Sequence, residues 1–154
     1  MFKKVLKNQK GLTLIELLAV VVILGIIAAI AVPAIGNVIS NSQRDSAVAE
    51  AQQIIDSARL YITTETPTFD TSGATPTLTV TQNNSGTTVS PTQTGVSPFE
   101  SYLNKADNFT LTVERDTNGI LSFEITNHTA NGFTFDGVTA NDGLTDAEIL
   151  TILD

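Results

Sequence analysis

A chain of 154 residues with no cysteine and a formal charge of −8 has room for one modest domain and cannot use disulfide or thiolate chemistry. Four of its eight basic residues, Lys3, Lys4, Lys7 and Lys10, stand in the first eleven positions; without them four basic residues face sixteen acids, and the side chains sum to −12. That balance excludes a generic nucleic-acid surface, and Arg44, Arg59, Lys105 and Arg115 are too scattered to make a local one.

The first segment, residues 1–11, is basic and ends at Gly11. Residues 12–35 then hold a single charge, Glu16, and a single helix breaker, Pro33. A helix of that length spans about 36 Å, enough to cross a bilayer. A carboxylate at a bilayer centre costs about 2.5–3.5 kcal/mol on insertion scales, so Glu16 calls for a role and a partner. Ala19, Gly25, Ala28, Ala29, Ala31 and Ala34 are small enough to let neighbouring helices approach closely.

Gly11 followed by Leu12-Thr13-Leu14-Ile15-Glu16-Leu17-Leu18 resembles the class III signal of type IV pilins and pseudopilins. The resemblance implies that a membrane-embedded aspartyl peptidase cuts after Gly11 and N-methylates Leu12, where the family more often has Phe or Met. Glu16 is the fifth residue after that cut, as in the family. Pro33 falls where the family often has a helix-kinking proline, and the helix near it can melt in an assembled filament. Cleavage would leave an ammonium on Leu12. Glu16 would then pair with the Leu12 amine of an adjacent subunit, or of its own chain one turn back, and so fix axial register in a low-dielectric bundle. The plainer reading is that Glu16 complements the positive end of its helix, worth about 0.3–1 kcal/mol.

The family reading makes the chain a non-enzymatic filament subunit that needs no cofactor. Its implied partners are further copies of itself in a helical homopolymer, a prepilin peptidase/methyltransferase, an inner-membrane pilus assembly platform, and membrane lipid before assembly. The leader lysines place the N-terminus on the cytoplasmic side, with the globular part outside and later on an extracellular pilus. A surface pilus is the first reading; a type II secretion or competence pseudopilin is the alternative. From the residues alone, 17–28 also reads as the apolar region of an ordinary signal peptide, with Ala29-Ile30-Ala31 as its cleavage site and a secreted binding module behind it. Glu16 at the start of the run, and helical periodicity continuing past Ala31, argue against that. A plain single-span anchor carrying a monomeric domain is the third reading.

Residues 37–46 are polar and mark the exit into water. Ala47, Val48, Ala51, Ile54, Ile55, Ala58, Tyr61 and Ile62 recur at three- and four-residue spacing, so 36–63 reads as the amphipathic half of the same helix, with Glu50, Gln53 and Asp56 on the opposite face. Pro67 bounds it. From 63 to 97, 17 of 35 residues are Ser or Thr, with three prolines and three glycines, which predicts a long surface connector over 64–97 holding one or two short strands; Leu78-Thr79-Val80-Thr81 alternates.

In 98–154 a small antiparallel sheet with short helices is expected, making the fold class α+β: a long N-terminal helix whose C-terminal half packs on the sheet. Ser97-Pro98-Phe99-Glu100 reads as a capping box opening a helix to about Lys105. Phe109, Leu111 and Val113 alternate as a strand, Asp116-Thr117-Asn118-Gly119 is a hairpin turn, and Leu121, Phe123 and Ile125 form the return strand. Residues 132–137 read as a third strand, and Thr145-Asp146-Ala147-Glu148 as a capping box for a last helix. Asn127-His128-Thr129 reads as an exposed turn; with one His and no Cys, a zinc site is excluded. Asp136, Asp142 and Asp146 offer oxygen ligands for Ca²⁺, as in some pseudopilins, but their spacing matches no EF-hand loop, and an acidic solvated turn is the plainer reading.

Overall fold

The computed structural model describes residues 3–103, 106–135 and 143–153. The chain divides into two compact units, residues 1–42 and 43–154, which are taken separately below.

Helix α1 (Lys3–Glu65) runs through both units with Pro33 inside it. Leu and Ala are good helix formers, and between residues 14 and 35 no polar stretch competes for the backbone. Pro33 has no N–H to offer the carbonyl four residues back, so the ladder lacks one bond there. The helix ends where Thr66 takes a left-handed conformation (φ 47°) directly before Pro67. Thr66 N–H still donates to the Ile62 carbonyl at 3.2 Å, closing the final turn.

In the second unit, five strands follow: β1 (Thr77–Asn83), β2 (Gly86–Ser90), β3 (Phe109–Arg115), β4 (Leu121–Thr126) and β5 (Leu144–Thr145). They form one antiparallel sheet in the order β2-β1-β3-β4-β5. The Ser/Thr-rich segment thus supplies two full strands, one of them interior to the sheet. Helix α2 (Asp146–Leu153) closes the described chain.

The register explains the core. Val80 lies across from Leu111, Leu111 from Ile125, and Ile125 from Leu144. A parallel row joins Leu78, Val113 and Phe123. Period-two alternation therefore lays two apolar rungs across one face of the sheet, while Thr79, Thr112, Glu124 and Thr145 share the other. The buried face of α1 covers those rungs: all eight apolar residues expected between 47 and 62 are buried, Val48, Ala51, Ile54 and Ile55 completely. Phe99, Phe109, Ala130 and Ile149 complete the core.

Four local expectations change. Ser97 is not a helix cap; a three-residue 3-10 turn, Phe99–Ser101, forms with Pro98 at its N-cap and no side-chain cap bond. Residues 132–135 are not a strand; a 3-10 turn over Thr129–Gly132 precedes Phe133 and Phe135, which pack against the core from one side, and Asp136 and Gly137 lie outside the described residues. His128 is buried instead of exposed. Glu50 is half-buried where Gln53 and Asp56 are exposed. The β3–β4 turn and the Thr145 capping box form as expected. Asp116 accepts from the N–H groups of Asn118 (2.8 Å) and Ile120 (2.7 Å), with Gly119 at φ 85° where a side chain would be strained. Glu148 Oε2 accepts from Thr145 N–H at 2.9 Å while Thr145 Oγ1 accepts from Glu148 N–H at 3.3 Å.

Leu111 sits at the centre of the longer rung and is fully buried. Leu111→Ala is expected to cost about 2–5 kcal/mol, and Ser122→Ala on exposed β4 backbone less than about 0.5 kcal/mol, as read from thermal unfolding of the detergent-solubilised chain. Similar losses at both positions would contradict this register.

Candidate functional site

The first candidate is α1 from residue 14 onward. Leu14, Ile15, Leu17, Leu18, Val20 to Leu24, Ile26, Ile27, Ile30, Val32 and Ile35 are all exposed by more than half, so the apolar surface goes round the helix instead of forming one stripe. A window of this segment reaches a mean hydropathy of 3.0, long and apolar enough to cross a membrane. An amphipathic core helix would show one polar face; a helix apolar all round needs a bilayer or other apolar helices on every side. Glu16 is the one charge between residues 14 and 35, and it makes no hydrogen bond or ion pair among the described residues. A Cβ added at Gly25 or Gly36 would meet nothing within 4 Å, so packing within the single chain requires neither glycine. Gly11 and Leu12 lie within α1, and their side chains are outside those described. Pro33 is exposed in mid-helix.

The second unit is tied together by charges that the sequence pattern did not disclose. Glu65, in the last turn of α1, accepts from Tyr102 Oη–H at 2.6 Å and from Ser97 N–H at 3.1 Å. Tyr61, one turn earlier, meets Phe99 and Tyr102 edge-on at 5.4 Å and 5.5 Å between ring centroids. The end of the helix thereby holds the segment that leads into β3. The Tyr102 hydroxyl, then the Ser97 groups, hold the Glu65 carboxyl below its ordinary range, and the same bond pushes the Tyr102 phenol up. Glu100 reaches over to accept from Thr87 N–H at 3.0 Å on edge strand β2.

The arginines are spent inside the unit. Arg44 donates to the Thr134 carbonyl at 2.6 Å and lies over the Phe135 ring. Arg59 bridges Asp56 and Asp146, at 3.2 Å and 3.0 Å, and lies over Phe123. Arg115 lies 4.0 Å from the Phe69 ring centroid. Asp146, read from the sequence as an oxygen ligand, is thus engaged by a guanidinium. Asp136 and Asp142 lie outside the described residues, and among the described residues no group of three or more His, Cys, Asp or Glu is placed to hold a metal ion. A wide polar depression on this unit is lined by Asn83, Asn108, Asn127, Asp107, His128 and Thr129 among others, and Thr129 Oγ1–H donates to Asp107 Oδ2 there at 3.2 Å.

Comparison with known proteins bears on the first candidate. The family described as the prokaryotic N-terminal methylation motif matches residues 6–32. Residues 6–32 of this chain carry an N-terminal methylation signal. The chain is 52% identical over 46 residues to the type IV major fimbrial protein FimA of Dichelobacter nodosus, covering 30% of each chain. It is 57% identical over 42 residues to fimbrial protein Q of Moraxella bovis, covering 27% of each. The aligned part spans about a third of the length of these relatives. No solved structure matches. The pilin-like chain combines that signal with an α+β architecture, a long N-terminal helix followed by a small antiparallel sheet.

Tyr102→Phe removes the first donor to Glu65. The Glu65 carboxyl is then expected to titrate at a higher pH, back toward its ordinary range, in carbon-detected NMR of the solubilised chain. Because the native value is the lowered one, the bond's contribution to stability is present above the ordinary carboxylate pKa of about 4.3 and is lost as pH falls through the native value. An unmoved Glu65 titration would place the main donor elsewhere.

Proposed function

We propose that this protein is the structural subunit of a type IV pilus-like filament. It is made as a precursor, cut after Gly11 by a prepilin peptidase, methylated at the Leu12 amine, and polymerised through α1. The observation that carries the reading is the apolar surface around α1 from Leu14 to Ile39, left bare by the single chain and interrupted by one carboxylate. Lipid covers it in the precursor. In the filament the first helices of neighbouring subunits replace lipid, and Gly25, Gly36 and the alanines between them let backbones approach. The relatives named as fimbrial proteins support a displayed pilus over a secretion pseudopilus.

Glu16 sets the register in this scheme. Cleavage leaves the Leu12 ammonium beside the first helices of adjacent subunits, where both charges are desolvated and each needs the other. Adhesion comes from apolar area, which is non-directional; the ion pair discriminates one axial offset from the next. Pro33, with its missing ladder bond, is the point at which the helix can yield as subunits pack. The leader lysines keep the N-terminus cytoplasmic, so residues 43–154 face outward. An assembly platform in the inner membrane and the peptidase/methyltransferase complete the set of partners.

Gly11→Val places a branched side chain beside the scissile bond. Unprocessed precursor is expected to accumulate in the membrane, seen as a band heavier by the leader on immunoblots, and N-terminal sequencing of the wild-type protein is expected to begin at Leu12. A mature terminus at Val32 would instead indicate an ordinary signal peptide.

Glu16→Ala leaves the Leu12 ammonium unpaired, at a cost of about 3–5 kcal/mol per subunit if the site is dry. Cleavage and insertion are expected to be normal while filaments in sheared, immunolabelled preparations fall to a trace, with Glu16→Asp intermediate because its carboxylate reaches less far. Abundant filaments from Glu16→Ala would remove the register role and leave only the helix-end effect.

A further inference from the structure

His128, the single histidine of the chain, is 4% exposed and belongs to no step proposed above. It is the N-cap of the 3-10 turn Thr129–Gly132. Its Nδ1 accepts from Ala130 N–H at 3.2 Å. Its own N–H donates to Asn131 Oδ1 at 2.9 Å, and the Asn131 amide donates to the Ile125 carbonyl of β4 at 3.1 Å. With Nδ1 accepting, the ring is neutral and its proton is on Nε2. Nε2 is buried without a hydrogen-bond partner; Glu50 Oε2 of α1 is 3.8 Å away, too far for one. Glu50 is not free to close that gap at no cost, because its Oε1 accepts from Asp107 N–H at 2.9 Å.

We propose that His128 is an acid-sensitive latch on the segment 129–135. A proton taken from water occupies the Nδ1 lone pair, so the ring and Ala130 present two donors to each other and the cap bond is lost. That cap seats Ala130 in the core, directly ahead of Phe133 and Phe135, which pack against it, and of the Thr134 carbonyl held by Arg44. Losing it exposes Ala130 N–H and loosens the segment back to the Arg44 contact. The charged groups facing the imidazole among the described residues are Glu50 from α1 and Asp107 from the segment before β3; both favour the cation. Burial disfavours it and prevails, holding the His128 ring below its ordinary range. The neutral ring's contribution to stability is therefore fully present above the ordinary pKa of about 6.5 and is lost as pH falls through the lower native value.

The latch is tested on the full chain in detergent micelles, where the sole imidazole gives an isolated NMR signal. The Ala130 amide protection factor, corrected for intrinsic exchange, is expected to fall by about tenfold or more in step with the protonation of His128 as pH is lowered, while that of Val113 in β3 stays constant. His128→Asn keeps an acceptor at the N-cap and cannot titrate, so Ala130 protection should become independent of pH. Glu50→Gln keeps an oxygen for Asp107 N–H but removes an attraction for the cation, so the loss of protection should move to lower pH; this variant carries the test if His128→Asn does not fold. Undiminished Ala130 protection with a charged ring, the same acid loss in His128→Asn, or a transition that stays put or moves upward in Glu50→Gln would each overturn the proposal.

Discussion

From Leu14 to Ile35, α1 presents apolar side chains on every side, and among the described residues nothing covers them. Leu14 through Ile39 carry exposures above half at almost every large residue. At about 25 cal/mol per Å² of apolar surface, leaving such a segment in water is prohibitive, and no rearrangement of one helix can hide a face when all faces are alike. The segment therefore needs an apolar environment on every side, and in the proposed filament it changes lipid for neighbouring helices. Pairing of this kind gains little from the hydrophobic effect, because lipid tails are as apolar as leucine side chains. Close approach at small residues, and one polar contact that is costly to leave unmade, become the discriminating terms. In the proposed filament that polar contact falls to Glu16, the one carboxylate of an otherwise uncharged stretch.

The second unit solves the opposite problem. Its sheet has one apolar face, written by the rungs Val80-Leu111-Ile125-Leu144 and Leu78-Val113-Phe123, and α1 supplies the complementary face from Ala47 to Ile62. Dispersion and burial make this core, but neither is directional. Direction comes from a few charged groups with assigned partners: Glu65 on Tyr102 and Ser97, Arg59 on Asp146, Arg44 on Thr134, Glu50 on Asp107. Each joins α1 to a segment distant in sequence, so the acidic surface of the chain coexists with a cross-braced interior. With no cysteine available, these bonds and packing do the bracing that a disulfide supplies in many small extracellular domains.

Without the four lysines of residues 3–10 the side chains sum to −12. Like-charged surfaces repel at short range, and the effect is screened over about 8 Å at physiological salt. If copies of this chain assemble as proposed, cohesion falls to the apolar helix segment, where Glu16 is the one charge between residues 14 and 35.

What the sequence alone determined is whatever follows from local order along the chain. The signal around Gly11 and Glu16, the apolar run, the 47–62 helix face, the alternation in β3 and β4, the Asp116 turn and the Thr145 capping box all depend on spacings of two to four residues, and each is legible because its cause is equally local. Tertiary structure decided the remainder. Within the Thr-rich connector only the Leu78–Thr81 alternation was legible as a strand; the full extent of Thr77–Asn83 and the edge strand Gly86–Ser90 follow from pairing, β1 with β3 and β2 with β1. Ser97 looked like a cap until Glu65, 32 residues away, took its N–H. The Gly132-to-Phe135 alternation looked like a strand, but a 3-10 turn anchored by His128 presents the same two phenylalanines to the core. His128 itself was unreadable as a buried group, because a lone polar residue beside Asn and Thr carries no periodic signal; its charged neighbours Glu50 and Asp107 come together only when α1 lies against the loop before β3.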